Sequence, residues 1–229
     1  MRMTSLNPVE LTGRADTHVR KIPDGEARLH AAVIEPVRAL REACGAAGID
    51  LVIVSSFRDF SRQAAIWNGK FQGRRPLLDA AGAPLDPANL SPAERVRAIL
   101  IWSALPGASR HHWGTDFDVV DRAAMAPGYQ VQLTVDEFTG SGPFVRLNEW
   151  LGANLGNFGF FRPYTTDRGG VRPEPWHLSY APVAVPALDA LTLDVLREAV
   201  EQGELEGRDE ILAKLPELYD KYVLSVDAP

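Results

Sequence analysis

Leu51-Val52-Ile53-Val54 is a short, continuous apolar run rich in β-branched residues, and it constrains the fold more than any other segment of the chain. Such a run reads as a buried strand, here ending at Ser55-Ser56, so Arg58 sits just past a strand end where a scaffold aims a side chain firmly. Before it, Leu29, Val33, Val37, Leu40 and Cys44 recur at helical spacing, which predicts a helix over 26–47 with Gly45 and Gly48 close behind it. Pro36 is expected to break or kink that helix. After it, a helix is expected from Phe60 to Phe71. The stretch from Gln72 to Leu90 reads as a loop because it is rich in Gly, Pro, Asp and Asn. Loops of that length are often functional, so a lid or a substrate-facing wall is expected there.

Ser91-Pro92-Ala93-Glu94 supplies an N-cap residue, a proline at the first helical position and a glutamate at the third, predicting a helix to about Ser103 that ends at Leu105-Pro106-Gly107. Thr115 to Val120 has strand character despite its two carboxylates, Asp116 and Asp118. Further strands are expected at Val131–Val135, Phe158–Phe161 and Trp176–Tyr180, with a helix at Phe144–Asn154. Short strands interleaved with helices in irregular order predict an α+β domain, a small antiparallel sheet flanked by helices. Beyond Tyr180 the character changes to Pro182, Pro186 and small apolar residues, then two helical stretches, Leu193–Gln202 and Asp209–Tyr222, the second interrupted at Pro216. These predict a main domain over 1–180 and a C-terminal helical extension over 181–229. Leu212, Leu215, Leu218, Tyr222 and Val223 would pack it on the main domain or on a partner.

At 229 residues, 45% of them hydrophobic, the chain is long enough for one globular domain with a full core. Its net charge of -6 and the absence of a Lys/Arg run exclude a nucleic-acid partner from the expectation. Cys44 is the one cysteine, so the chain offers neither an intramolecular disulfide nor a multi-cysteine metal site, and this residue reads as packing. No apolar stretch is long enough to span a membrane, and no membrane partner is expected. Met1 to Gly25 lacks an apolar core of signal-peptide length. The chain as written is therefore expected in the cytoplasm, or in the periplasm if a leader was removed. Oligomeric state does not follow from any of these features.

Two clusters carry candidate chemistry. His111 precedes Asp118 by seven positions, across a Gly114 that lets the chain turn from loop to strand. Glu174-Pro175-Trp176-His177 places a carboxylate and an imidazole just before an apolar strand. A catalytic zinc takes three His, Asp or Glu ligands and leaves a position for water. A neighbouring carboxylate that is not a ligand then takes the water's proton and passes it to the leaving amine, a role that suits Glu174. On spacing alone the residues also fit two loop histidines and a hydrogen-bonded core histidine.

The run Ser109-Arg110-His111-His112-Trp113-Gly114-Thr115-Asp116-Phe117-Asp118 resembles the Ser-x-His-x-x-Gly-x-Ala-x-Asp motif of the D-alanyl-D-alanine carboxypeptidases that include the VanY-type enzymes. Glu174-Pro175-Trp176-His177 is similar to that family's Glu-x-Trp-His motif. Ser55-Ser56-Phe57-Arg58, with Gln63 five residues on, is similar to a third signature. The three lie in the family's order and span about 55–180, leaving the C-terminal helices outside.

The resemblance implies one Zn2+ ion held by His111, Asp118 and His177, with Glu174 as the base and Arg58 steadying a developing oxyanion or a substrate carbonyl. Gln63 and Ser109 would hold the substrate, a peptidoglycan-derived peptide whose terminal D-alanine is cut at a D,D or an L,D bond. Asp116 stands where the family has alanine. It shares a strand face with Asp118, so a hydrogen-bond partner behind a ligating histidine, a substrate contact and an alternative ligand are all open. His112 in place of His111 is a further alternative. Trp113 and Trp176 are expected either as pocket walls, with Trp176 touching substrate, or as packing. Arg162, Arg168 and Arg172 lie in the loop before Glu174, facing either a peptide carboxylate or solvent. An endopeptidase of the same fold would need a groove open on both sides of the scissile bond. A zinc-containing binding module could dispense with Glu174 and Arg58.

Overall fold

The computed structural model describes residues 5–23 and 25–229. A single turn, α1 (Pro8–Leu11), is held by a capping box between Asn7 and Glu10. Strands β1 (Val19–Lys21) and β2 (Arg28–His30) then pair as an antiparallel ribbon. There follow α2 (Ile34–Ala46), β3 (Leu51–Ser55) and α3 (Phe60–Phe71). A small hairpin of β4 (Leu77–Leu78) and β5 (Pro84–Leu85) leads to α4 (Pro92–Trp102), which opens on the expected Ser91/Glu94 capping box. The rest of the main body is β6 (Asp116–Asp121), α5 (Val145–Asn154), β7 (Phe160–Phe161) and β8 (His177–Tyr180). Four helices close the chain: α6 (Ala181–Ala190), α7 (Leu193–Glu201), α8 (Arg208–Ala213) and α9 (Leu215–Tyr219). No helix among the described residues is long and apolar enough to cross a membrane.

The central sheet has the order β3-β6-β8-β7, antiparallel throughout, so the fold is α+β with a small antiparallel sheet between helices. Side chains alternate across a strand, and the β6/β8 register puts Phe117 opposite Leu178 on one face, and Asp116 opposite Ser179 and Asp118 opposite His177 on the other. The Phe117/Leu178 face packs on Leu40 of α2 and Leu147 and Leu151 of α5. A second core joins α3 and α4 to the C-terminal helices, through Trp67, Ile99, Leu196, Val200, Ile211 and Leu215. There Trp67 is fully buried and donates its indole N–H to the Glu206 carbonyl at 3.0 Å. The polar face of β6 and β8 lies where these two cores meet.

Three local expectations are corrected. The helix placed over 26–47 begins only at Ile34, because Arg28–His30 pairs with β1 and the His30 amide is held by the Gly114 carbonyl at 2.8 Å. Pro36 thus falls in the helix's first turn, where a backbone N–H has no intrahelical acceptor and its absence costs nothing. Val131–Val135 forms no strand: the buried Glu137 carboxylate accepts the Gln132 and Thr134 amides at 3.0 and 2.9 Å, so this backbone curls around a side chain instead of entering a ladder. Residues 181–190 form a helix although they contain two prolines: Pro182 sits in the first turn, where its missing N–H costs nothing, and the helix continues through Pro186.

Candidate active site

Gly114 ends the 3-10 turn Arg110–Trp113 in the left-handed region, at φ 65°. A β-carbon there would lie 2.6 Å from Val19 Cγ1 and 2.7 Å from the His30 amide nitrogen, so only glycine lets this turn press against the β1/β2 ribbon. The turn delivers His111 over the polar sheet face. Pairing of β6 with both neighbours then sets Ser55, Asp118 and His177 in a row across three strands.

On that row His111 Nε2 is 3.6 Å from Asp118 Oδ2, and His177 Nδ1 is 3.2 Å from Asp118 Oδ1. One donor atom from each of the three residues lies within 4.8 Å of the others. Each imidazole is anchored from behind. His111 Nδ1–H donates to the Ser56 carbonyl at 3.1 Å, and His177 Nε2–H donates to Asp116 Oδ1 at 3.0 Å. These bonds fix the tautomers and leave His111 Nε2 and His177 Nδ1 with lone pairs pointing inward. Glu174 Oε2 stands 3.3 Å from His177 Nδ1. Asp118 Oδ1 is buried with no hydrogen-bond partner among the described residues. Two inward lone pairs and an orphaned carboxylate oxygen fit a single divalent cation.

The electrostatics match. Burial pulls the His111 imidazole down to about 3, so it stays neutral. Burial also works against a charged His177, but the bond to Asp116 and the nearby carboxylates of Asp118 and Glu174 outweigh it and raise this imidazole well above its ordinary value. Burial pushes the Glu174 carboxyl up, with His177 opposing. Burial acts likewise on Asp118, but the surrounding histidines and Arg58 hold it below the carboxylate range. Three carboxylates around one imidazole concentrate negative charge in the interior, which a bound cation relieves.

Asp116 faces away from this cluster. Its Oδ1 accepts from Arg110 Nε at 2.7 Å as well as from His177, and its Oδ2 accepts from Thr115 Oγ1 at 2.6 Å and Ser179 Oγ at 3.1 Å. Arg110 also donates to Ser179 Oγ at 2.7 Å and lies 4.8 Å from the Trp113 ring centroid. Burial opposes ionisation of Asp116, but Arg110 and His177 hold its carboxyl well below the usual range. Asp116 is therefore a backing partner for His177. Arg110, Thr115 and Ser179 were not singled out from the sequence; the signal was an arginine between the motif's serine and histidine.

Arg58 donates to Gln63 Oε1 at 2.6 Å and to Ser55 Oγ at 3.2 Å, and its amide is held by the His111 carbonyl at 3.2 Å. Gln63 is fully buried, with its amide nitrogen on the Ala104 carbonyl at 2.6 Å, so it grips Arg58. Ser109 is buried, and its carbonyl accepts the His112 amide at 2.9 Å. His112 has both ring nitrogens committed, Nδ1–H to the Arg58 carbonyl at 2.6 Å and Nε2 to the Gly107 amide at 3.1 Å, which removes it as a ligand. Trp176 packs in the apolar core, 5.6 Å from the Phe138 ring, and Trp113 donates to the Leu11 carbonyl at 3.1 Å. Both indoles are packing residues. In the loop before Glu174, Arg168 pairs with Asp227, Arg172 with Asp167, and Arg162 donates to the Asn148 carbonyl. Tyr164 lies edge-on to His177, with 5.2 Å between ring centroids.

The model of the VanY family, D-alanyl-D-alanine carboxypeptidase, matches residues 26–183. An uncharacterised protein of Haemophilus influenzae is 33% identical over 122 residues, covering 52% of this chain and 93% of the relative. Among solved structures, the zinc complex of a variant of the vancomycin-resistance D,D-pentapeptidase VanY is 21% identical, covers 84% of this chain and 88% of its own, and superposes with a TM-score of 0.50. VanYB in complex with D-alanine-D-alanine is 22% identical, covers 83% and 92%, and has a TM-score of 0.52. At those identities the likeness is one of fold.

Proposed function

Because the chain belongs to the VanY family of D-alanyl-D-alanine carboxypeptidases, we propose that it is a zinc-dependent carboxypeptidase that releases the terminal D-alanine of peptidoglycan stem peptides, at a D,D or an L,D bond. The observation that carries this reading is the convergence of His111 Nε2, Asp118 and His177 Nδ1 with Glu174 Oε2 only 3.3 Å from the second histidine. A purely structural metal site has no use for a fourth, non-ligating carboxylate at its edge. The VanY relative solved with Zn(II) and the VanYB relative solved with D-alanine-D-alanine support the choice of metal and substrate class.

His111, Asp118 and His177 would hold a zinc ion, which would supply Lewis acidity to polarise a carbonyl and acidify water. Glu174, whose carboxyl burial raises above the ordinary carboxylate range, takes the proton of the attacking water on its carboxylate and delivers it to the leaving amine of D-alanine. Arg58, held rigid by Gln63 and Ser55, presents its guanidinium to the oxygen on which negative charge develops. Asp116 and the Ser56 carbonyl keep the two imidazoles in the tautomers that ligate.

The test is mass-spectrometric detection of D-alanine released from tetrapeptide and pentapeptide stems by zinc-loaded wild type and Glu174→Ala. Metal-dependent release that the variant loses is expected, and the stem that reacts identifies the bond. A zinc-loaded wild type that releases nothing from either stem overturns the proposal.

A further inference from the structure

His112 is fully buried and directs neither ring nitrogen at the metal cluster. The Gly107 amide donates to its Nε2 at 3.1 Å, so Nδ1 carries the proton and donates it to the Arg58 carbonyl at 2.6 Å. Packing alone would be served by a leucine, without the cost of burying two polar nitrogens. What the imidazole adds is a rigid donor aimed at one carbonyl.

That carbonyl lies at a joint. Two further bonds tie the same segments, from the Arg58 amide to the His111 carbonyl at 3.2 Å and from His111 Nδ1 to the Ser56 carbonyl at 3.1 Å. The His112 bond is the one that pins the peptide between Arg58 and Asp59. Asp59 is the N-cap of α3, and Gln63 of that helix grips the Arg58 guanidinium. The pinned peptide therefore joins the turn that carries His111 to the helix that aims Arg58.

His112 is braced in turn by the first residues of the chain. Its carbonyl accepts His18 Nε2–H at 2.9 Å. Gly13, at φ 71°, lies so close that a β-carbon there would stand 2.3 Å from His112 Nδ1, and its carbonyl accepts the Phe60 amide of α3 at 2.8 Å. Both residues precede the segment matched by the family model, which begins at 26, so this brace comes from outside it.

We infer that His112 is a positioning residue for the proposed reaction: its Nδ1–H holds the Arg58 main chain so that the guanidinium stands where negative charge develops on the substrate oxygen. This rests on the carboxypeptidase reading above and adds a residue that acts only through Arg58. A displacement of about 1 Å in a preorganised group is enough to cost about a hundredfold in rate.

Three substitutions divide the roles of the ring. His112→Asn keeps a side-chain N–H near Nδ1, His112→Gln reaches toward Gly107 instead, and His112→Leu keeps bulk and drops both bonds. For each, kcat and KM of D-alanine release are measured on zinc-loaded protein, and amide exchange at Arg58 is followed by NMR with Val119 of β6 as the control. Gln and Leu should lower kcat about tenfold to a hundredfold with KM and zinc affinity within about twofold, and quicken exchange at Arg58 about tenfold. Asn should stay within about fivefold of wild type in both readouts, as rescue by the retained donor. In an Arg58→Ala background none of the three should slow turnover further, because each acts through the guanidinium. Asn as damaging as Leu, or a Leu penalty that persists without Arg58, would make His112 a packing residue and overturn the inference. Should His112→Leu not fold, the contrast between Asn and Gln decides in the same way. If the wild type releases no D-alanine, the hydrolase falls, and exchange at Arg58 alone decides whether His112 holds that residue: faster in Gln than in Asn keeps the tie, and equal rates refute it.

Discussion

Asp116 Oδ1 accepts the Nε2–H of His177 at 3.0 Å, on the side of the ring opposite Asp118 and Glu174. One carboxylate thereby sets the tautomer of a histidine and neutralises the buried Arg110. Asp116→Asn keeps the shape but removes the charge. Metal affinity should fall about tenfold to a hundredfold because the backing acceptor is weakened. Stability should fall by roughly 3 kcal/mol because Arg110 is left buried without a counter-ion. Competition with a chromogenic chelator reads the first and urea unfolding of the metal-free protein the second. If both stay at wild-type values, the network around Asp116 has no role in holding His177.

Gly114→Ala is expected to cost about 2–5 kcal/mol, combining the left-handed backbone penalty with overpacking. The new methyl would meet the His30 amide nitrogen, which is backbone and has little room to yield. The denaturant midpoint measures this. A change under about 0.5 kcal/mol, the range of neutral surface substitutions, would mean that the turn does not press on the β1/β2 ribbon as described.

Cys44 lies fully buried on α2, and burial, helped by Asp121, pushes its thiol up to about 12. Only the thiolate is alkylated, so iodoacetamide at pH about 8 should modify the native protein at least about a thousandfold more slowly than the unfolded chain. Intact-mass spectrometry over time follows the single adduct. Rapid native labelling would contradict the packing of α2 on the sheet.

Much of the candidate site was legible because its residues lie in two short segments, and β6/β8 pairing alone brings Asp118 opposite His177. The strand at Leu51–Ser55 and the helix capped by Ser91 were legible for local reasons, β-branching in one and cap chemistry in the other. What was not legible depends on residues far apart in the chain. Arg110 meets Ser179 across 69 positions, and no periodicity announces that contact. Val131, Leu133 and Val135 alternate like a strand, yet Glu137 captures the backbone donors a ladder would have used. Leu29 and Val33 fit a helix by spacing, but tertiary pairing with β1 claims the first of them for a strand.

The loop that carries Glu174 is fastened by the end of the chain. Asp227 accepts from the amides of Thr165 and Thr166 at 2.8 and 2.9 Å and from Arg168 Nε at 2.9 Å, while its own amide donates to the Pro163 carbonyl. The Glu174 amide in turn donates to the Tyr164 carbonyl at 2.8 Å, so the grip lies one hydrogen bond away from the proposed base. Burial works to raise the Asp227 carboxyl, but hydrogen bonds from Thr165 and Arg168 outweigh it and hold it well below the carboxylate range. A depressed folded value gives a tie that is complete above the unfolded pKa of about 3.9 and is lost as pH falls through the lower folded one. Amide exchange at Thr165 and Thr166 should therefore stay slow at pH about 4 and quicken only well below it. Asp227→Asn should make the same two amides exchange about tenfold faster or more at pH above about 4, with strand β6 unaffected, because only a local opening is made easier. The difference should close at low pH, where the wild-type carboxyl is protonated. D-alanine release by this variant should fall through a slower turnover, since Glu174 spends less time in place, with zinc affinity unchanged. Exchange at Thr165 and Thr166 that ignores both the substitution and the pH would show that the loop is held by its own turns and not by Asp227.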